Sequence, residues 1–361
     1  MHYRVFDCWR LLAALLIMAY HFVFWAPYGA ATGAEMLHRL LPLLDMFFMI
    51  SGYLITTRYA GTVTGLSSYG TFLRRRIARL YPLHVLITLF FAALAVAAMV
   101  YGARHYDWRH DLEALPAHLL VLHALGTTNG LALNYVSWSI SAEFFSYALF
   151  PVIVLALRWR GMSGLLLVLA GWIAGLEIAS WEGLFPSGHW TTADSMGAYR
   201  AFADFMIGGV LAEFVRRRPI ALTSHWPGVL FLAAAVWSMF DELPYPVTFA
   251  LLAASLAATA LAETATPRST AFLSPIMPLA RVSFGIYLWH PVMEFFFLTL
   301  LWDRFVEPHQ LVDFYIYWTL PMAASIAVAL LSARHLEPRL ATLIAGPRPR
   351  QSAKADVLAS A

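Results

Sequence analysis

Charged side chains are scarce in this chain. Of its 361 residues only 12% are Asp, Glu, Lys or Arg, about half the share found in soluble domains. So few charges cannot cover the surface of a water-soluble fold of this length. Cysteine is nearly absent too, and the single Cys8 excludes an internal disulfide and any cysteine-based metal site. The net charge is only +3, and the basic residues sit in short clusters between apolar runs, a pattern that argues against nucleic acid as a partner. No Gly-rich Walker loop, paired metal-binding histidine motif or G-x-S-x-G elbow occurs, which argues against ATP hydrolysis and zinc chemistry. Neither a solenoid-period repeat nor a Gly/Ser linker divides the chain.

What is abundant is apolar and aromatic: 60% hydrophobic residues with 13 Trp, 25 Phe and 16 Tyr, and a mean hydropathy of +0.66. This is the composition of an all-α integral membrane protein. Apolar runs of about 20 residues, the length needed to cross a bilayer, begin near Val5, Leu40, Tyr81, Val136, Leu165, Arg200, Trp226, Val247, Val282 and Asp313. With the amino end inside, 19 Lys and Arg fall in inner loops against 5 in outer loops. That bias predicts ten transmembrane helices with both termini cytoplasmic. Residues 1–345 form the transmembrane domain, and the small polar tail 346–361 is expected to be a disordered cytoplasmic extension. A cleaved signal peptide is the alternative for the first segment; Asp7, Arg10 and His21 inside the run argue against it.

Ionisable groups inside spans are costly and mark functional positions by default. The first segment carries Asp7, Arg10 and His21; Arg10 and His21 share one helical face about 16 Å apart along the axis. The plainer reading has Arg10 snorkelling and pairing with Asp7, and His21 as an interfacial histidine. In the second segment Asp45 and the Ser51–Gly52 pair interrupt an apolar helix; glycine permits close helix contact or local unwinding. Arg74, Arg75, Arg76 and Arg79 precede the third span at Tyr81. They fit both a positive-inside signal and a phosphate clamp. Glu143 and Tyr147 stand one turn apart beside Trp138 near a helix start, where Glu143 suits either the helix dipole or a buried partner. In the ninth segment Ser283, Tyr287, His290 and Glu294 fall on one face, either a polar seam within the bundle or a cavity wall, and Pro291 predicts a kink.

These segments together resemble the membrane acyltransferase-3 family, bacterial O-acyltransferases that modify surface sugars. FDCWRLLAALLIMAYHF carries the family's Arg-x10-His signature as Arg10 and His21. DMFFMISGYLI, RRRIARLYP, WSISAEFFSYALFP and SFGIYLWHP follow in order, across residues 7 to 291. The chain is expected to be without the extra periplasmic hydrolase-like domain of some members. The resemblance implies transfer of an acyl group, usually acetyl, from cytoplasmic acyl-CoA to a sugar hydroxyl of a glycan or glycolipid. It implies a multi-pass protein of the bacterial inner membrane, with lipid around it and no tightly bound cofactor or metal. His21 and Arg10 are then the expected catalytic pair, with Glu143 matching the glutamate of a WS-x3-E motif. Arg74, Arg75, Arg76 and Arg79 match the family's basic segment and are expected to bind the donor. Asp7, Asp45, Ser51, Trp138, Tyr147, Ser283, Tyr287 and His290 are expected to line the cavity.

On this reading His21 serves as general base for the hydroxyl, Arg10 stands deeper on the donor's path, and Glu143 orients His21. Acceptor choice is expected in the outer loops, where Trp108, Trp181 and Trp190 offer faces for sugar stacking or interfacial anchoring. A proton-coupled transporter or glycan exporter without chemistry is the competing reading, because intramembrane Asp45, Glu143 and His290 suit it too.

Overall fold

The computed structural model describes residues 3–101, 112–192, 195–218 and 220–345. The expected tail 346–361 and Trp108 lie outside the described residues. The chain is 78% helical with no strands among those residues, as the composition predicts. The first helices are α1 (Arg4–Val23), α2 (Ala30–Arg39), α3 (Leu43–Tyr59), α4 (Leu66–Val100) and the short α5 (Leu115–Leu119). The middle of the chain forms α6 (Trp138–Arg160), α7 (Met162–Trp181), α8 (Gly197–Arg217), α9 (Trp226–Phe240) and α10 (Tyr245–Ala265). The last stretch holds α11 (Met277–Ala280), α12 (Ser283–Met293), α13 (Phe314–Tyr317), α14 (Thr319–Leu331) and α15 (Glu337–Ala345).

All ten expected segments are helical, but among the described residues eight helical stretches are long and apolar enough to cross a membrane. The two that fall short are α8, which carries Arg200, Asp204 and Glu213, and α9, which has 15 residues. The expected start of the third span is corrected: α4 begins at Leu66, fifteen residues before Tyr81, and runs through Pro82 to Val100. Nothing between Leu66 and Tyr81 breaks a helix, and arginine is a good helix former. Arg74, Arg75, Arg76 and Arg79 therefore stand on a helix and not in a loop.

The α3–α8 pair forms the centre. A Cβ on Gly52 would lie 2.0 Å from the carbonyl oxygen of Phe205, and one on Gly208 would lie 2.0 Å from that of Met49. Two glycines facing each other let these backbones touch, the small-residue packing that joins helices when lipid supplies no hydrophobic drive. Of the two roles open to Gly52, close contact is the one realised. Asp45 on α3 and Arg200 on α8 reinforce the pair with a two-pronged bond, Nε–Oδ1 2.7 Å and Nη2–Oδ2 2.6 Å. Tyr245 of α10 donates to the same carboxylate.

α1 packs on α12 and α3. Its first backbone N–H, on Arg4, donates to Glu263 Oε1 of α10 at 2.8 Å, so a distant carboxylate closes a helix end that no local side chain caps. At the far end of α12, Pro291 withdraws a backbone donor. The helix then continues from Glu294 to Val306 with π-type hydrogen bonding, the expected disturbance in a milder form than a break.

Candidate active site

A cavity opens where α1, α3, α4, α6 and α12 meet. Its walls include Arg10, Ser51, Arg76, Arg79, Trp138, Ser139, Glu143, Tyr147, Ser283 and Tyr287, set among Ala13, Ala14, Leu44, Phe47, Phe48 and other apolar side chains. The helical periodicity of α4 puts Arg76 and the exposed Arg79 in this wall and leaves Arg74 and Arg75 outside it. Arg76 donates to the Tyr59 hydroxyl at 2.9 Å and lies over the Tyr59 and Phe72 rings. Arg10 lies over the Phe47 ring, 4.8 Å from its centroid. Among the described residues neither Arg10 nor Arg79 has a hydrogen-bonded acceptor.

Glu143 is buried and accepts hydrogen bonds from Ser51 of α3 and Tyr147 of its own helix. The carboxylate expected to orient His21 is thus directed to two hydroxyls inside the cavity. Three guanidinium groups and one carboxylate leave the space positively charged, and low-dielectric walls strengthen its attraction for an anion.

His21 stands at the opposite end of the same helix, eleven residues and about three turns from Arg10. Its ring meets the Tyr135 ring edge-on at 4.4 Å between centroids and faces the His290 ring at 5.5 Å. The Tyr135 hydroxyl donates to Glu294 Oε2 at 2.6 Å, and Trp25 Nε1 donates to Glu294 Oε1 at 2.9 Å. Glu294, not Glu143, is therefore the carboxylate grouped with His21 and its neighbours.

The polar stripe of α12 joins the two ends. Ser283 and Tyr287 face the cavity beside Arg10, and the Tyr287 hydroxyl donates to the Val136 carbonyl at 2.8 Å. One turn on, His290 faces His21, and Glu294 completes the stripe. Of the other expected lining residues, Ser51, Trp138 and Tyr147 stand in the cavity wall. Asp45 does not: it is committed to Arg200 and Tyr245. Asp7, in the first turn of α1, and His290, fully buried against His21, also lie outside the wall. Trp190 is buried, with its Nε1 donating to Glu177 at 2.8 Å, so it has no free face for a sugar, whereas Trp181 is exposed.

A family model described as an acyltransferase domain matches residues 3–334. The chain belongs to the acyltransferase-3 family. It is similar to acyltransferase MdmB of Streptomyces mycarofaciens, with 27% identity over 346 residues that cover 90% of this chain and 85% of that protein. No solved structure matches it. The protein is thus a multi-pass membrane enzyme that transfers acyl groups, and the transporter reading loses its support.

Several residues of this acyltransferase escape a sequence reading. Tyr135 and Trp25 look like ordinary aromatics, and only the fold brings them to Glu294. Arg200 and Asp204 stand four apart in an apolar segment, a visible signal, yet Asp45 lies 155 residues from Arg200. Beside Tyr135, Ser137 contacts His118 and His123, whose rings stack at 3.8 Å with His84 next to them. No spacing in the sequence announces that cluster.

Proposed function

We propose that the protein transfers an acyl group, acetyl in the simplest case, from acyl-CoA to a sugar hydroxyl of a glycan or glycolipid, with His21 as general base. The observation that carries this reading is the placement of Arg10 and His21 on one unbroken helix. Arg10 stands in a cationic cavity, His21 beside His290, Tyr135 and Glu294, and the α12 stripe links them. The arginine bias along the chain favours a cytoplasmic cavity mouth in a bacterial inner membrane, with both termini on that side.

In this mechanism the donor's phosphates enter from the arginine-rich end of α4. Arg75 meets them at the mouth, and Arg79 and Arg76 hold them inside. The pantetheine arm extends along Ser283 and Tyr287 toward His21, which spans the roughly 16 Å between the two ends. The imidazole of His21 takes the hydroxyl proton as the oxygen attacks the thioester carbonyl. The C–S bond breaks as the ester forms, and the thiolate leaves with the proton that His21 returns. Glu294, reached through Tyr135, favours the protonated imidazole in that interval. No covalent enzyme intermediate is needed.

The test is direct. Purified protein in nanodiscs is incubated with labelled acetyl-CoA and a glycolipid extract, and the products are weighed by mass spectrometry. One added acetyl group on a sugar, dependent on the protein, is the expected result. Loss of label from acetyl-CoA with none in any glycan, or no turnover at all, overturns the proposal.

A further inference from the structure

On the far side of the α1–α3 seam from the cavity lies a second hollow, walled by α1, α3 and α9, with a volume of about 300 Å³. That is at the lower end of the roughly 300–1,000 Å³ typical of ligand sites. Eleven of its twelve lining residues are apolar, among them Leu12, Leu16, Ile50 and Leu232; the twelfth is Arg10. Leu12 is 61% exposed, so the hollow opens on the outside of the bundle, where lipid stands. Arg10, Ala13 and Phe47 line both this groove and the cavity. These three residues form a wall common to the two spaces.

We propose that this groove is a lateral binding site for the hydrocarbon chain of a membrane-borne acceptor, with Arg10 receiving the phosphate at the head of that chain. The inference rests on the proposed function, and it names how the acceptor reaches the enzyme. A guanidinium among apolar walls at bilayer depth is costly without an anion. Among the described residues Arg10 finds the Phe47 ring and no acceptor. The ligand that satisfies both features is an amphiphile: a chain for the Leu, Ile and Met walls and an anionic head for the single cation. The acyl chain of the donor fits less well. Its nucleotide enters the polar cavity on the other side of the seam, and the thioester must reach His21, about three turns beyond Arg10. The wall shared at Arg10, Ala13 and Phe47 brings a lipid-anchored sugar beside the cavity from the bilayer.

Photolabelling tests this without requiring turnover. The protein in phosphatidylcholine nanodiscs is irradiated with dodecyl phosphate carrying a diazirine at its chain end, and labelled peptides are mapped. Label concentrated on Leu40–Ile50 and Leu232–Val236 is expected. Unlabelled dodecyl phosphate should displace it, with dodecanol at least about tenfold weaker because it lacks the charge that meets Arg10. Leu232→Trp and Leu16→Trp, on opposite walls, should each reduce the label; two variants guard against one failing to fold. Even labelling of all lipid-facing helices, or equal displacement by dodecanol, overturns the proposal. Displacement by dodecanoyl-CoA at lower concentration than by dodecyl phosphate overturns it in favour of a donor-chain pocket. Because labelling needs no chemistry, a protein labelled in the groove that transfers no acetyl group refutes the proposed reaction and leaves the groove standing.

Discussion

His290 lies nearly parallel to His21, with ring centroids 5.5 Å apart and planes inclined by 20°. The two residues are 269 positions apart in the chain, and the packing of α12 on α1 brings them together. The base of the proposed mechanism therefore has a second imidazole against its face. Glu294 joins the same group through the hydrogen bond it accepts from Tyr135.

His21→Ala should lower kcat by about 10²- to 10⁴-fold while the protein still inserts, because an interfacial position tolerates alanine and a general base does not. Acetyl transfer measured in nanodiscs, with insertion checked by protease protection, decides it. Turnover within a few-fold of the parent would remove His21 from the chemistry.

Glu294→Gln preserves the acceptors for Tyr135 and Trp25 in part but removes the charge. Lower kcat with an unchanged KM for acetyl-CoA is the expected outcome, since the donor's phosphates bind at the other end of α1. A matching rise in KM alone would mean that Glu294 acts on binding.

Arg79→Gln should raise the KM for acetyl-CoA by about 10- to 100-fold, the scale of one charged hydrogen bond of roughly 1.5–3 kcal/mol. Arg74→Gln, at an exposed position outside the cavity, should change it little. Equal effects from both substitutions would assign the cluster to topology or lipid attraction.

Arg200→Met should destabilise the protein by about 3–5 kcal/mol, because Asp45 and the neighbouring buried Asp204 lose their shared cation. Thermal unfolding in detergent is the measurement. A midpoint unchanged from the parent would show that the α3–α8 glycine contact holds the pair without the ion bridge.

Cysteines at positions 21 and 290 in a Cys8→Ser background should be joined by a short bifunctional thiosulfonate, since the native rings face each other. Failure of that pair, with success between cysteines at neighbouring α1 positions and α14, would relocate α12 in the bundle.

Much of this architecture was legible in the chain. Helix content, the ten helical segments and the stripe Ser283–Tyr287–His290–Glu294 all follow from apolar length and periodicity, which are local properties. The Arg-x10-His spacing likewise fixes two side chains on one face because helix geometry is invariant. Where the reading failed, the reason was equally specific. Tyr81 looked like a start because charge seemed to end the apolar run, yet an arginine-rich turn continues a helix at no backbone cost.

The sequence by itself determined that the protein lives in a membrane, where most of its apolar helices run, and which ionisable groups the bilayer should have excluded. Only the tertiary structure decided which of those groups meet. Asp45, a candidate cavity residue by its place in an apolar run, is held by Arg200. Glu143 turns to Ser51 and Tyr147, and Glu294 takes the position near His21. Such pairings depend on which helix faces which across more than a hundred residues of chain. In a bilayer that choice is made by close packing of small residues and by the cost of leaving a buried charge unmatched, and neither is written in any local window of sequence.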